Sequence, residues 1–315
     1  MNSIFINRKS SIVFITILSC LSQSRLFAQE KRFLIYVQDV KHNKIQYSII
    51  KSLHDNNYFI TDSNGVFEKK LNIYDTLIVS NLGYNTSTFQ IKNAKNIDTI
   101  YLTEKGENLG EVIVGNFETV KAGILKEKQQ RSFSGDNTSS IFEMTTLVKI
   151  KEIAKKIRIS KIYLKQKNFN TTSPIALHIY SVGNNGLPER DLLDKQVIIS
   201  HEMHKKGLIT IDVKDKNIYL NATDFFVGIQ FLTPYNAIQK SSIDDGIAET
   251  TTLRDSLTYR RSLKLNNRWY IEFTNGIFIP KQNNFDEKSY TFNEKVKENN
   301  PINMIAEVEV EILEK

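Results

Sequence analysis

Apolar and polar residues alternate at every second position along much of this chain. Successive side chains of an extended strand leave on opposite faces, so such runs fit half-buried strands and not helices with a coherent apolar stripe. Ala306 to Ile312 alternates most cleanly, with Ala306, Val308, Val310 and Ile312 on one face and Glu307, Glu309 and Glu311 on the other. Phe33, Ile35 and Val37 share a face in the same way, and Ile97 to Leu102 is another short strand. Further runs cover Ile157 to Leu164, Ile175 to Val182, Gln196 to Ser200, Leu208 to Val213, Phe225 to Leu232 and Trp269 to Phe273. Turn signals such as Gly183-Asn184-Asn185-Gly186-Leu187-Pro188 and Asn266-Asn267 separate them. The expectation is an all-β protein. Its last strand should be half-buried with glutamates toward water, and would serve equally as a sheet edge blunted by charge.

The N-terminus carries Arg8 and Lys9 before the apolar run Ile12 to Leu18, and Leu26-Phe27-Ala28 follows with a small residue. That run is about half the ~20 residues of a membrane-spanning helix, so the expectation is export, with residues 1–28 cleaved as a signal peptide. Cys20, the sole cysteine, follows Ile17-Leu18-Ser19 and offers a competing route, lipidation and a membrane tether. Either route leaves no disulfide. Residues 1–28 hold three basic residues and no acid, so their removal lowers the formal charge from +7 to +4. Lysines mixed among acids, with no arginine-rich stripe, exclude a nucleic-acid partner from the expectation.

Thr61-Asp62-Ser63-Asn64-Gly65-Val66-Phe67 is hairpin chemistry. Asp62 and Asn64 can bond their own backbone and Gly65 accepts positive φ. Together with Leu82-Gly83-Tyr84 and Leu109-Gly110-Glu111-Val112-Ile113-Val114, this ordered set resembles the carboxypeptidase regulatory-like domain of exported proteins of Bacteroidetes type. The likeness covers 32–115. It implies a transthyretin-like seven-stranded sandwich with an accessory role and no catalysis. Residues 116–139 turn polar and charged and read as a linker or short exposed helix. Residues 140–315 read as a second antiparallel sandwich or jelly-roll-like domain, and Ile141 to Leu232 is similar to uncharacterised β-rich halves that follow this module. TonB-dependent receptors carry the same module ahead of a plug and a large barrel, for which this chain has no room.

No reaction is legible. The five histidines lack the His-x-x-Glu pair of zinc carboxypeptidases, and His201 and His204 are three apart where a helical zinc pair is four apart. Asp62-Ser63-Asn64-Gly65 has Ile73 where an EF-hand places its glutamate. Asp244, Asp245 and Glu249 read as solvated loop acids, and the long polar loops Asn236 to Asp255 and Lys281 to Pro301 read as mobile connections. No nucleophile elbow or phosphate loop is present. The expectation is therefore no enzyme, no catalytic residue, no cofactor and no metal.

Tyr259, Arg261, Arg268, Trp269 and Tyr270 lie in one hairpin-like segment. Aromatic faces stack on sugars, whereas rings in a sandwich more often fill its core. These five are the candidate partner or glycan contacts, and Asp62, Asn64, Gly65 and Gly83 are structural turn residues. Three readings remain: a protein of the periplasm, outer membrane or cell surface that holds a protein partner, a module that binds envelope polysaccharide, and a hydrolase with a dispersed site.

Overall fold

The computed structural model describes residues 30–91, 97–106, 115–126, 129, 131–133, 142–151, 156–166, 174–199, 203–205, 207–232, 247–250, 258–262, 268–273, 276–278 and 303–313. Among them there is no α-helix. Residues 1–28, read as a signal peptide, and Leu109 to Val114 lie outside the described residues.

The first unit contains β1 (Glu30–Asp39), β2 (Ile49–Ser52), β3 (Tyr58–Ile60), β4 (Val66–Asn72), β5 (Thr76–Ser80), β6 (Ser87–Gln90) and β7 (Ile97–Leu102). They form two sheets, ordered β4-β1-β7 and β3-β2-β5-β6. All pairs are antiparallel except β1 with β7. Phe33, Ile35 and Val37 of β1 meet Ile50, Phe59, Phe67, Leu71, Leu77, Val79, Ile100 and Leu102 in one core. Each of these side chains contributes roughly 1.5–3 kcal/mol on burial.

The second unit contains β8 (Phe117–Gly123), β9 (Arg131–Phe133), β10 (Phe142–Lys149), β11 (Ile157–Lys165), β12 (Ile175–Val182), β13 (Pro188–Asp191), β14 (Val197–Ile199), β15 (His204–Lys205) and β16 (Leu208–Asp212). It continues with β17 (Tyr219–Leu220), β18 (Asp224–Phe231), β19 (Ile247–Thr250), β20 (Thr258–Ser262), β21 (Arg268–Phe273), β22 (Gly276–Phe278), β23 (Asn303–Met304) and β24 (Ala306–Leu313). A large sheet runs β13-β12-β18-β10-β20-β21-β22 with β14 beside β12. A second sheet runs β15-β16-β11-β24-β8 with β17 beside β11. The core between them takes Met144, Ile179, Val227 and Ile229 from the first sheet and Ile162, Leu164, Ile211, Val308 and Val310 from the second.

Two features differ from the sequence reading. The stretch read as a linker supplies β8, which pairs with β24 along its whole length. Its polarity arises because only Val120 and Ala122 pack inward. The last strand is no edge: β24 lies between β11 and β8. Its glutamates meet cations: Glu307 pairs with Lys121, Glu309 with Lys161, and Glu311 with Arg158 and Lys214. A strand flanked on both sides can keep carboxylates on its outer face because neighbouring strands place lysine and arginine directly across.

The two units touch. Tyr47, Ile49, Tyr58 and Ile60 of the first pack with Ala176, Ile198 and Leu232 of the second. Ile50 and Phe59 point into the first core, so by alternation Ile49 and Tyr58 belong to the outer face of β3-β2. Leu82 also reaches the second core. Gly83 follows with φ +91°, and a Cβ there would lie 2.7 Å from the Asp194 carbonyl oxygen. Only glycine permits that approach without strain. This seam places one face of the first sandwich against the outer face of the large sheet.

Candidate functional site

The outer face of the large sheet carries a buried polar cluster. On β12, Leu177 and Ile179 enter the core, so His178 and Tyr180 fall on the other side. The same alternation turns Gln230 of β18 and Glu143 of β10 outward. Cross-strand register sets His178 opposite Gly228, and Gly228 opposite Thr145. Glu143 lies directly opposite Gln230. Gly228 leaves room in this row, since a Cβ there would come within 2.6 Å of the Thr145 methyl.

The groups bond to one another. His178 Nδ1 is 2.6 Å from Asp191 Oδ2, and Nε2 is 3.4 Å from Gln230 Oε1. Asp191 Oδ1 also accepts the backbone N–H of Leu193 at 3.0 Å, which anchors the carboxylate to the β13 turn. The Tyr180 hydroxyl donates to Glu143 Oε1 at 2.5 Å. The His178 and Tyr180 rings stack at 5.5 Å with 9° between their planes. Glu143 is 1% exposed, and His178, Tyr180 and Gln230 are buried. Unpaired, such groups would cost about 1–3 kcal/mol each, so mutual bonding is what permits their burial. The arrangement holds a histidine and two carboxylates at fixed positions.

The hairpin read as a contact surface extends the same rows. Arg261 pairs opposite Glu143, and Trp269 opposite Arg261. Tyr259 pairs opposite Thr145, in the His178 row. Arg268 and Tyr270 fall in the alternate rows, those of Phe142 and Met144. The five candidates thus fall in alternate rows of the register.

The turn residues sit in the first unit. Asp62 Oδ1 accepts the N–H groups of Asn64 and Val66, both at 2.8 Å, and Gly65 takes φ +68°. A Cβ on Gly65 would meet the Val37 carbonyl oxygen at 2.7 Å. Asn64 accepts from Lys44 Nζ at 3.3 Å. His201, Asp244 and Asp245 lie outside the described residues, and His204 and Glu249 belong to β15 and β19. Among the described residues no three His, Cys, Asp or Glu side chains gather as metal ligands.

The sequence reading singled out none of Glu143, His178, Tyr180, Asp191 and Gln230 as site residues. The available signal was a lone polar residue at an alternate position of an otherwise apolar strand, as in Val227-Gly228-Ile229-Gln230-Phe231.

Neither a protein-family model nor a curated protein matches the chain. Among solved structures it is similar to a candidate carbohydrate-binding protein from Bacteroides uniformis, at 8% identity over 79% of this chain and 98% of that one, with TM-score 0.21. It is also similar to BcpA, the major pilin subunit of Bacillus cereus. One BcpA structure is 10% identical and spans 80% of this chain and 68% of that chain at TM-score 0.19. Another is 11% identical over 91% and 96% at TM-score 0.19. Similarity at this level assigns no function.

Proposed function

We propose that this chain is an exported, non-catalytic protein of the periplasm, outer membrane or cell surface that holds a protein partner through its β-sandwich units. The observation that carries the reading is the mutual bonding of the polar cluster. Glu143 accepts from Tyr180, and His178 lies between Gln230 and the half-buried Asp191, so the groups most suited to proton transfer are engaged by one another. A general acid or base must reach a substrate proton within hydrogen-bond distance. The seven strands of the first unit accord with an accessory, transthyretin-like module of the carboxypeptidase regulatory-like type. The test is turnover across peptide and glycoside panels with the chain and its Glu143→Gln variant. Hydrolysis that falls in the variant contradicts the proposal, and no turnover by either supports it.

A second reading, polysaccharide binding, rests on the register that sets Tyr259 opposite Thr145, Arg261 opposite Glu143 and Trp269 opposite Arg261. Retention on envelope polysaccharide that is lost in Trp269→Ala would favour it, and unchanged retention would remove it.

A further inference from the structure

Residues 191–195 run from the polar cluster to the seam. Asp191 ends β13, and its carboxylate holds three groups. Oδ2 lies 2.6 Å from His178 Nδ1, while Oδ1 accepts the N–H of Leu193 at 3.0 Å and that of Ile179 at 3.4 Å. Leu192 donates its N–H to the Ile179 carbonyl at 2.7 Å, and Leu193 enters the second core. Asp194 and Lys195 come next. A Cβ on Gly83 would lie 2.7 Å from the Asp194 carbonyl oxygen and 3.5 Å from the Lys195 Cα and Cγ, so this turn is where the first unit rests on the second. His178 adjoins the seam along its own strand as well. Ala176, two residues earlier on the same face of β12, packs with Ile60 and Leu232.

Both ring nitrogens of His178 face acceptors, Nδ1 the Asp191 carboxylate and Nε2 the Gln230 Oε1 at 3.4 Å. A neutral imidazole carries one N–H and an imidazolium two, so only the protonated ring donates to both. Without the Nε2 proton two acceptors oppose each other, and the contact survives only if the Gln230 amide turns over. The bond to Asp191 then keeps one of its two charges. The two side chains are 10% and 14% exposed, so water screens their attraction little.

The other titratable groups around the ring are Tyr180, stacked on it, and Glu143, which accepts from the Tyr180 hydroxyl. Arg261 lies opposite Glu143 in the register of β20 with β10, and β18 contributes the neutral Gln230. At the seam end of the turn, Asp39 and Glu104 of the first unit act with Lys195 on the Tyr84 hydroxyl. Among side chains of these types histidine alone ordinarily changes charge between about pH 5 and 8.

We propose that His178 is a proton-operated latch on the seam: the protonated ring holds Asp191, Asp191 fixes residues 192–195, and these seat Gly83 of the first unit. Loss of the proton as pH rises slackens the turn and loosens the first unit on the second. The latch sets how firmly the two units are joined, which is separate from what the protein retains.

The test is hydrogen exchange of the full chain across about pH 5 to 8, with each rate divided by that of the unfolded chain at the same pH. Nitrogen NMR of the His178 ring is followed over the same range. Protection at Tyr58 to Ile60, the seam strand, should be about five- to tenfold greater at the acid end, because a bond between two charges gives way to a weaker one. It should change together with the ring signals, while β1, in the sheet away from the seam, stays constant. His178→Gln and Asp191→Asn should each show equal protection at both ends of the range. Parent protection that is the same at both ends, or a pH dependence that persists in His178→Gln, would overturn the proposal. So would a ring that keeps its charge across the range, or one that titrates with no change at Tyr58 to Ile60. The parent alone can give three of these four results, so a variant that fails to fold does not protect the proposal.

Discussion

Changing Glu311 to Gln should destabilise the second sandwich by about 2–3 kcal/mol near neutral pH, and the loss should largely disappear in acid. The Glu311 Oε2 accepts from Arg158 Nε at 2.7 Å and again from the same guanidinium through Nη2, while Oε1 accepts from Lys214 Nζ at 2.7 Å. The Arg158 and Glu311 side chains are 15% and 11% exposed, whereas Lys214 is 55% exposed. The Lys214 contact is therefore worth well under about 1 kcal/mol. The forked Arg158 contact is the larger. Removing one partner of a fully buried pair costs about 3–5 kcal/mol, and the residual exposure here places the effect at the lower end or below. Gln keeps the shape and loses the charge.

Burial raises the Glu311 carboxyl, but the hydrogen bonds from Lys214 and Arg158 overcome it and hold the group below its ordinary range. A carboxyl lowered in the folded state stabilises the fold above its unfolded value of about 4.3, and that stability is lost as pH falls through the folded value. Urea unfolding followed by the fluorescence of Trp269, the one tryptophan of the chain, reads the second unit. Glu307→Gln is the control, since it contacts the exposed Lys121 at 3.3 Å and should cost less than about 1 kcal/mol. Equal losses for the two variants at neutral pH, or an undiminished Glu311→Gln loss at about pH 3, would show that the buried Arg158–Glu311 pair does not stabilise the fold.

Asp191→Asn should cost about 1–3 kcal/mol, because it leaves the buried His178 without its carboxylate. Thermal unfolding checks it, and a midpoint within about 1 °C of the parent would count against the bonded cluster. Gly83→Ala should loosen the seam by about 1–3 kcal/mol, as a Cβ at φ +91° would press on the Asp194 carbonyl. Faster hydrogen exchange at Tyr58 to Ile60, with β1 unchanged, is the expected result.

Much of the architecture was legible because period two needs no partner to be recognised. β11, β12, β16 and β18 fall on the runs that alternation picks out. The position of β24 was not legible, because a charged outer face reads the same at an edge as between two strands. Which it is depends on Lys121 and Arg158, more than a hundred residues away in sequence. β8 was hidden for the same reason, since a strand that packs only Val120 and Ala122 inward looks like a polar connection. The polar cluster was the least accessible part. Tyr180 and Glu143 are 37 residues apart and His178 and Gln230 are 52 apart, and one polar residue within an apolar strand does not name its partner. The turn at Asp62 to Gly65 is local, so its hydrogen bonds could be anticipated from spacing alone.

The central claim, a non-catalytic holder of a protein partner, is tested most directly by cross-linking the chain within the envelopes of its own cells, followed by capture from each side of the cross-link. One protein should be recovered in fixed stoichiometry, and recovered again when that protein is used as the bait. Polysaccharide retained with no protein at fixed stoichiometry would contradict it.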